Sequence, residues 1–243
     1  MLSLLNKLTK QSTTFDITET LLFCVLLSFV GGLMDVYTYI VHGNVFATGQ
    51  TGNLILSVIH LTDGDLQRAL YPLIPISAFW IGNYAAWQIY HNHFKDRPFH
   101  WKRTILVVES IILVLTGFIP SSCPDVIANL MVSFAASLQF CAFRTFHNKE
   151  NYASVFCTGN MRSCADHVYK GFALGDRQSL KLALQYSCII LAFAAGALIG
   201  ALATKILLEK AIWFASLILS VVLAFTFRSQ IPSTKLKLSK SIL

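Results

Sequence analysis

One carboxylate and two copies of a Thr-Gly-Asn turn are the residues of this chain whose type and setting suit chemistry in an apolar medium. Asp35 follows Gly31-Gly32-Leu33-Met34 in a run that otherwise reads as lipid-buried, and Thr51-Gly52-Asn53 comes soon after, behind Phe46-Ala-Thr-Gly-Gln. A weaker copy returns about 107 positions later, as Phe134-Ala-Ala-Ser-Leu-Gln139 and Val155-Phe-Cys-Thr158-Gly159-Asn160.

A charge at the depth of Asp35 costs on the order of 3 kcal/mol on insertion scales; unpaired, it costs more or takes up a proton. Asp35 therefore reads as a proton- or cation-coupling carboxylate. The plainer alternative is a polar anchor, bonded to a Thr or Asn of the neighbouring segment. Gly31 and Gly32 permit close backbone approach or a bend beside it. Thr51-Gly52-Asn53 and Thr158-Gly159-Asn160 read as helix starts, with Thr as cap and Gly in the turn. A half-helix N-terminus at depth presents free amides and partial positive charge to a polar or anionic group. Glu109 is a candidate relay carboxyl or a structurally paired one. Gln139, in the second half's counterpart region to Asp35, suits an interhelical hydrogen bond. Arg144 and Arg162 are inside-facing charges, or face Asp35 or an anionic substrate. The two halves together suggest acid from the first and base from the second.

These residues need a lipid-embedded frame. The 243 residues are 55% hydrophobic and 13% charged, with mean hydropathy +0.60, whereas soluble domains carry nearer a quarter charged residues. Several apolar runs reach the roughly 20 residues that cross a bilayer. They are continuous rather than alternating, which disfavours a β-barrel. The class is an all-α integral membrane protein. Spans are expected over about 20–41, 70–90, 103–120, 126–143, 180–204 and 211–227, with the two Thr-Gly-Asn segments at about 45–62 and 152–172.

The net charge of +7 belongs to loops and tails, where it sets orientation, and does not point to nucleic acid. With both Thr-Gly-Asn segments re-entrant, Lys7 and Lys10, the basic 92–102 loop, the 144–181 region and the tail from Arg228 all fall on the cytoplasmic side. Only Lys205 and Lys210 disagree. Six spans with cytoplasmic termini follow: a single membrane domain over 1–243, with an N-terminal segment at 1–19, repeats at 20–120 and 126–227, and a tail at 228–243. Three spans per half is odd, so the repeat is 3+3 and inverted, a design in which broken segments line a midplane site. The apolar run from Leu21 lacks a small-residue cleavage pattern and reads as a retained span.

The six cysteines form no CxxC pair and read as small buried hydrophobes. His91 and His93 lack a third ligand, so no metal or other cofactor is expected. There is no Ser/His/Asp set, phosphate-binding glycine loop or HExxH, so an enzyme is not expected. Gly196-x-x-x-Gly200 suits close packing, either internally or in a homodimer.

The Gly-x-x-Asp of the first span and the phenylalanine-rich approach to Thr-Gly-Asn-Leu resemble the YoaK family, the bacterial multi-pass membrane family of domain of unknown function 1275. The resemblance covers about 20–227. It departs in the second half, where Ser137-Leu138-Gln139-Phe140 stands for Gly-x-Gln-Asn and Thr158-Gly159-Asn160 for Thr-Gly-Thr. It implies an inner-membrane protein and supplies no substrate or catalytic residue. The functional expectation is a small-molecule or ion secondary transporter with its polar site between the Thr-Gly-Asn segments. The alternative is a non-transporting scaffold or sensor.

Overall fold

The computed structural model describes residues 16–146 and 150–228. The basic segment with Lys7 and Lys10 and the tail beyond Arg228 lie outside the described residues.

Helix α1 (Leu21–Val41) begins where the Thr20 hydroxyl accepts from the Phe23 amide. It ends at Gly43 and Asn44, both in the left-handed region (φ 79° and 59°). The Asn is one of the few side chains that tolerates this conformation. A loop then leads to α2 (Gln50–Thr62), the short α3 (Leu66–Leu70) and α4 (Leu73–Ile89), which continues through a π-helical turn at Tyr90–Phe94. Helix α5 (Pro98–Thr116) precedes α6 (Asp125–Ala142), and strands β1 (Thr145–Phe146) and β2 (Glu150–Asn151) lead to α7 (Thr158–Ala173). Helix α8 (Arg177–Leu207), capped by Asp176 accepting from the Gln178 amide, turns through Leu208–Ile212 into α9 (Trp213–Arg228).

Among the described residues, three helical stretches are long and apolar enough to cross a membrane: Leu21–Val41, Asp125–Ala142 and Arg177–Phe227, the last running through α8, the turn after it and all of α9 but its final residue. The chain is an α-helical membrane protein. Helix α4 has 17 residues before its π-helical continuation, at the lower end of the range that crosses a bilayer. Helix α5 carries Lys102, Arg103 and Glu109 within its length.

One sequence expectation is corrected. Helix α5 starts at Pro98 rather than 103, because proline at the first helical position loses no hydrogen bond and is already set to helical φ. Lys102 and Arg103 therefore sit inside the helix. Lys102 Nζ donates to Asp16 Oδ2 at 2.9 Å and Arg103 to Thr226, with its guanidinium over the Phe99 and Phe227 rings. The all-α class holds, with one small ribbon that the sequence did not announce. The two-residue strands pair antiparallel because Phe146 is drawn fully into the core, against Tyr152 and Tyr186 at centroid distances of 5.7 and 5.0 Å.

The two most extensive helix packings are reciprocal. Helix α1, before the first Thr-Gly-Asn turn, lies on α8, after the second; α6, before the second, lies on α4, after the first. Glycine permits both approaches. A Cβ on Gly32 would collide with the Phe193 carbonyl, one on Gly196 with the Phe29 carbonyl, and one on Gly82 with Ser137 Oγ. Gly196 and Gly200 thus pack inside the chain against α1, and this pair is not free to join a second copy. Gly32 likewise serves packing; α1 runs unbroken past it.

Candidate functional site

Asp35 lies on α1, 9% exposed. Its partner comes from the loop before α2. Thr48 N donates to Oδ1 at 2.6 Å, and Thr48 Oγ1 lies 2.6 Å from Oδ2. The same hydroxyl lies 2.8 Å from the Val155 carbonyl oxygen, 107 residues further along the chain. Gly31 brings that second loop in: a Cβ there would meet Val155 Cα at 2.9 Å and the Ser154 oxygen at 3.0 Å.

The two Thr-Gly-Asn turns are built alike. Asn53 Oδ1 accepts from the Phe46 amide at 2.8 Å and Nδ2 donates to the Phe46 carbonyl at 2.7 Å. Asn160 does the same to Ala153, at 3.0 and 2.8 Å, and again seven residues back. Each Nδ2 makes a further bond, Asn53 to Gln50 Oε1 and Asn160 to the Phe156 carbonyl, both at 2.9 Å. Both side chains are buried and spend their donors and acceptors on their own loops. They brace the turns rather than face a ligand. The Thr caps expected from sequence are absent: α2 begins one residue before Thr51, α7 begins on Thr158 itself, and neither start has a side-chain cap. The asparagines satisfy the loops instead; the Gln50 amide donates to the Thr48 carbonyl at 2.8 Å, while the Thr51, Gly52, Thr158 and Gly159 amides have no hydrogen-bond acceptor among the described residues.

Those amides border a cavity of about 410 Å³. Its lining pairs residues 107 apart, Gln50 with Cys157, Thr51 with Thr158 and Gly52 with Gly159, together with Asp35, Val155 and Phe193. Two helix N-termini, each carrying partial positive charge, thus share one space with one carboxylate. Two further cavities show the same pairing, one of them sharing Gly159 with it. One of about 660 Å³ includes Asn44, Val45, Leu56, His60 and Arg68; one of about 510 Å³ includes Asn151, Tyr152, Ser163, Arg162 and Asp166. Asn44 and Asn151, Val45 and Tyr152, and Leu56 and Ser163 are again pairs 107 apart.

The remaining expected site residues lie elsewhere. Arg162 is exposed and lines the 510 Å³ cavity, not the one with Asp35. It stands one turn from Asp166, whose carboxyl is held below its ordinary range chiefly by the Lys170 ammonium, bonded at 2.6 Å. Helix α7 projects this charged row outward, so base from the second half does not meet acid from the first. Gln139 Nε2 donates to the Leu27 carbonyl at 3.1 Å, two turns before Asp35 on α1, which is the interhelical bond its type suggested. Glu109 is fully buried, and neither of its oxygens has a hydrogen-bond partner among the described residues. It does not line the Asp35 cavity. Arg144 is exposed beside the β-hairpin. Cys24 and Cys141 are buried, Cys123, Cys157 and Cys164 partly so, and Cys188 is exposed, with no disulfide among the described residues.

Sequence reasoning allowed Asp35 a Thr or Asn partner from the neighbouring segment, as found, but did not single out Thr48. Its only signal was a second Thr-Gly pair, Thr48-Gly49, separated from Thr51-Gly52 by Gln50. It also missed Gln50 and Cys157, which have no distinguishing pattern, and the Val155 carbonyl, which has no side-chain signature at all.

No curated protein and no solved structure matches the chain. Residues 23–225 match the family model described as "Protein of unknown function (DUF1275)", and the chain belongs to that family.

Proposed function

We propose that this chain is a small secondary transporter for a polar solute or ion, and not an enzyme, with its site in the cavity between the two Thr-Gly-Asn turns. One observation carries the reading: residues 107 apart line a single cavity in pairs, and Thr48 and Val155, also 107 apart, meet beside Asp35, the one carboxylate among the described residues of its lining. An approximate two-fold relation between the halves accounts for this pairing, for the matching Asn53 and Asn160 braces, and for the reciprocal packing of α1 on α8 and α6 on α4. Six spans in a single membrane domain, as a 3+3 inverted repeat in a bacterial inner membrane with both termini cytoplasmic, fit that relation. The first broken segment then enters from outside and the second from inside. Non-helical backbone at that depth is tolerated where it lines a cavity or packs on protein. The other two paired cavities serve as the outer and inner approaches in alternating access.

The test is Asp35→Asn in proteoliposomes carrying the full chain, with uptake followed for a panel of small polar solutes and ions. A carrier loses coupled uptake while still inserting. Normal insertion with every transported solute unaffected overturns the role of Asp35. Outside thiol labelling of a cysteine placed in the 92–102 loop overturns the six-span arrangement. The Gln139–Leu27 bond and the saturated Asn53 and Asn160 favour a second reading, a scaffold whose polar groups only lock helices. A scaffold would lose thermal stability in Asp35→Asn and show no uptake to lose.

A further inference from the structure

Thr48 Oγ1 carries one proton yet makes two short contacts, 2.6 Å to Asp35 Oδ2 and 2.8 Å to the Val155 carbonyl oxygen. A hydroxyl donates once, and a carbonyl only accepts. Both contacts are hydrogen bonds together when a proton sits on Asp35 Oδ2: the carboxyl donates to Thr48, and Thr48 donates to Val155. With Asp35 ionised, the Thr48 proton turns to the carboxylate, and the Val155 carbonyl loses its donor.

Resting on the carrier reading above, we propose that the ion Asp35 takes is the proton. Thr48 is then the positioning residue through which that proton holds the two Thr-Gly-Asn segments together. A hard metal cation needs several oxygen ligands. Asp35 Oδ1 instead faces the Thr48 N–H at 2.6 Å, and an N–H donor cannot ligate a cation. No group of three or more His, Cys, Asp or Glu side chains is placed for a metal among the described residues. The groups around Asp35 leave the proton as the charge that varies. The segment before α7 presents the Cys157 thiol, α2 presents Gln50 and Thr51, and α8 presents Phe193; among the described residues lining the cavity, Asp35 is the one formal charge.

The release step balances. The Oδ2–H bond breaks, its electron pair stays on Asp35, and the proton passes to solvent in the cavity. Thr48 Oγ1–H rotates from Val155 to Oδ2, and the contact between the two segments opens.

Infrared difference spectra of the full chain in proteoliposomes test this, in a Glu109→Gln background so that Glu109 adds no band. A protonated-carboxyl C=O band should bleach as pH is raised, vanish in Asp35→Asn, shift upward in Thr48→Val and return in Thr48→Ser. With Cys157 as the sole cysteine, its maleimide labelling at one pH where the band is present should be about fivefold faster in Thr48→Val, the population shift carried by one buried hydrogen bond. The absence of any titrating band removed by Asp35→Asn overturns the proposal, as does a Thr48→Val protein with wild-type band and labelling. If Thr48→Val fails to insert, Asp35→Asn decides. Its amide donates to Thr48 permanently, so Cys157 should stay protected at high pH, and fast labelling there overturns the proposal. A Thr48-dependent band without uptake of any solute supports the proton-held contact and overturns the carrier reading. Asp35-dependent uptake driven by sodium, with no such band, does the reverse.

Discussion

The hydroxyl of Thr48 and the carbonyl of Val155 stand 2.8 Å apart, although 107 residues separate them. This is the offset at which the Thr-Gly-Asn turn recurs. One contact therefore joins two residues at that same offset and ties both to Asp35. The cavity beside it is bordered by the uncapped starts of α2 and α7. Its chemistry depends on how firmly those starts are held, so the first predictions concern their supports.

Asn53→Asp and Asn160→Asp should each lower the melting temperature, by similar amounts. Aspartate still accepts from the amide seven residues back but has no N–H for the carbonyls now served by Nδ2. The cost is about 1–3 kcal/mol for a buried acceptor left unmet. Thermal unfolding of the purified variants in detergent measures it. A loss in only one of the two would show that the turns are not equivalent supports.

Gly32→Ala and Gly196→Ala should each destabilise by about 1–3 kcal/mol through overpacking of α1 on α8. Gly159→Ala provides the contrast. Nothing lies within 4 Å of a Cβ there, and alanine in a helix gains up to about 1 kcal/mol over glycine. Gly159 also lines the cavity. Its alanine variant should therefore melt at or above the wild-type temperature while filling part of the site, which uptake assays on the same preparation would register.

Asp16 and Lys102 pin the start of α1 to α5. Burial alone would raise the Asp16 carboxyl, but the Lys102 ammonium at 2.9 Å and bonds from Thr18 outweigh it and hold it below its ordinary 3.8. A carboxyl lowered on folding stabilises above its unfolded value and loses that contribution as pH falls through the folded one. Lys102→Met should cost about 1 kcal/mol at neutral pH, discounted because Asp16 is partly exposed. It should also flatten the fall in melting temperature below pH ~4. Melting curves over the acid range compare the two slopes, and equal slopes would show that the pair adds nothing.

Glu109→Met should raise thermal stability. The carboxyl is fully buried with both oxygens unpartnered among the described residues, and an apolar side chain of similar length removes a penalty of about 1–3 kcal/mol. If the variant melts lower, Glu109 has a partner that folding requires. If it melts higher but uptake falls, the relay role considered for this residue regains support.

Several features were decided by the sequence itself. Continuous apolar runs specify buried helices because every backbone polar group must be satisfied internally in lipid, and Leu21–Val41 and Asp125–Ala142 fall within one residue of the expected 20–41 and 126–143. Asp35 stood out because the cost of a carboxylate in such a run is set by composition alone. The recurrence of Thr-Gly-Asn was visible as spacing.

Tertiary structure alone decided what these residues touch. Hydrogen bonds are short and directional, and whether Thr48 reaches both Asp35 and Val155 depends on two loops that the chain brings together from far apart. The same holds for Gly32 and Gly196, whose missing side chains acquire meaning only from the carbonyls opposite them. Arg162, a plausible partner for Asp35 by sequence, is carried outward by the helical phase of α7. Asn53 and Asn160 turn inward to brace their own loops. The opening stretch thus keeps its acid but loses its expected base. What faces the carboxylate is a threonine hydroxyl with one proton to give.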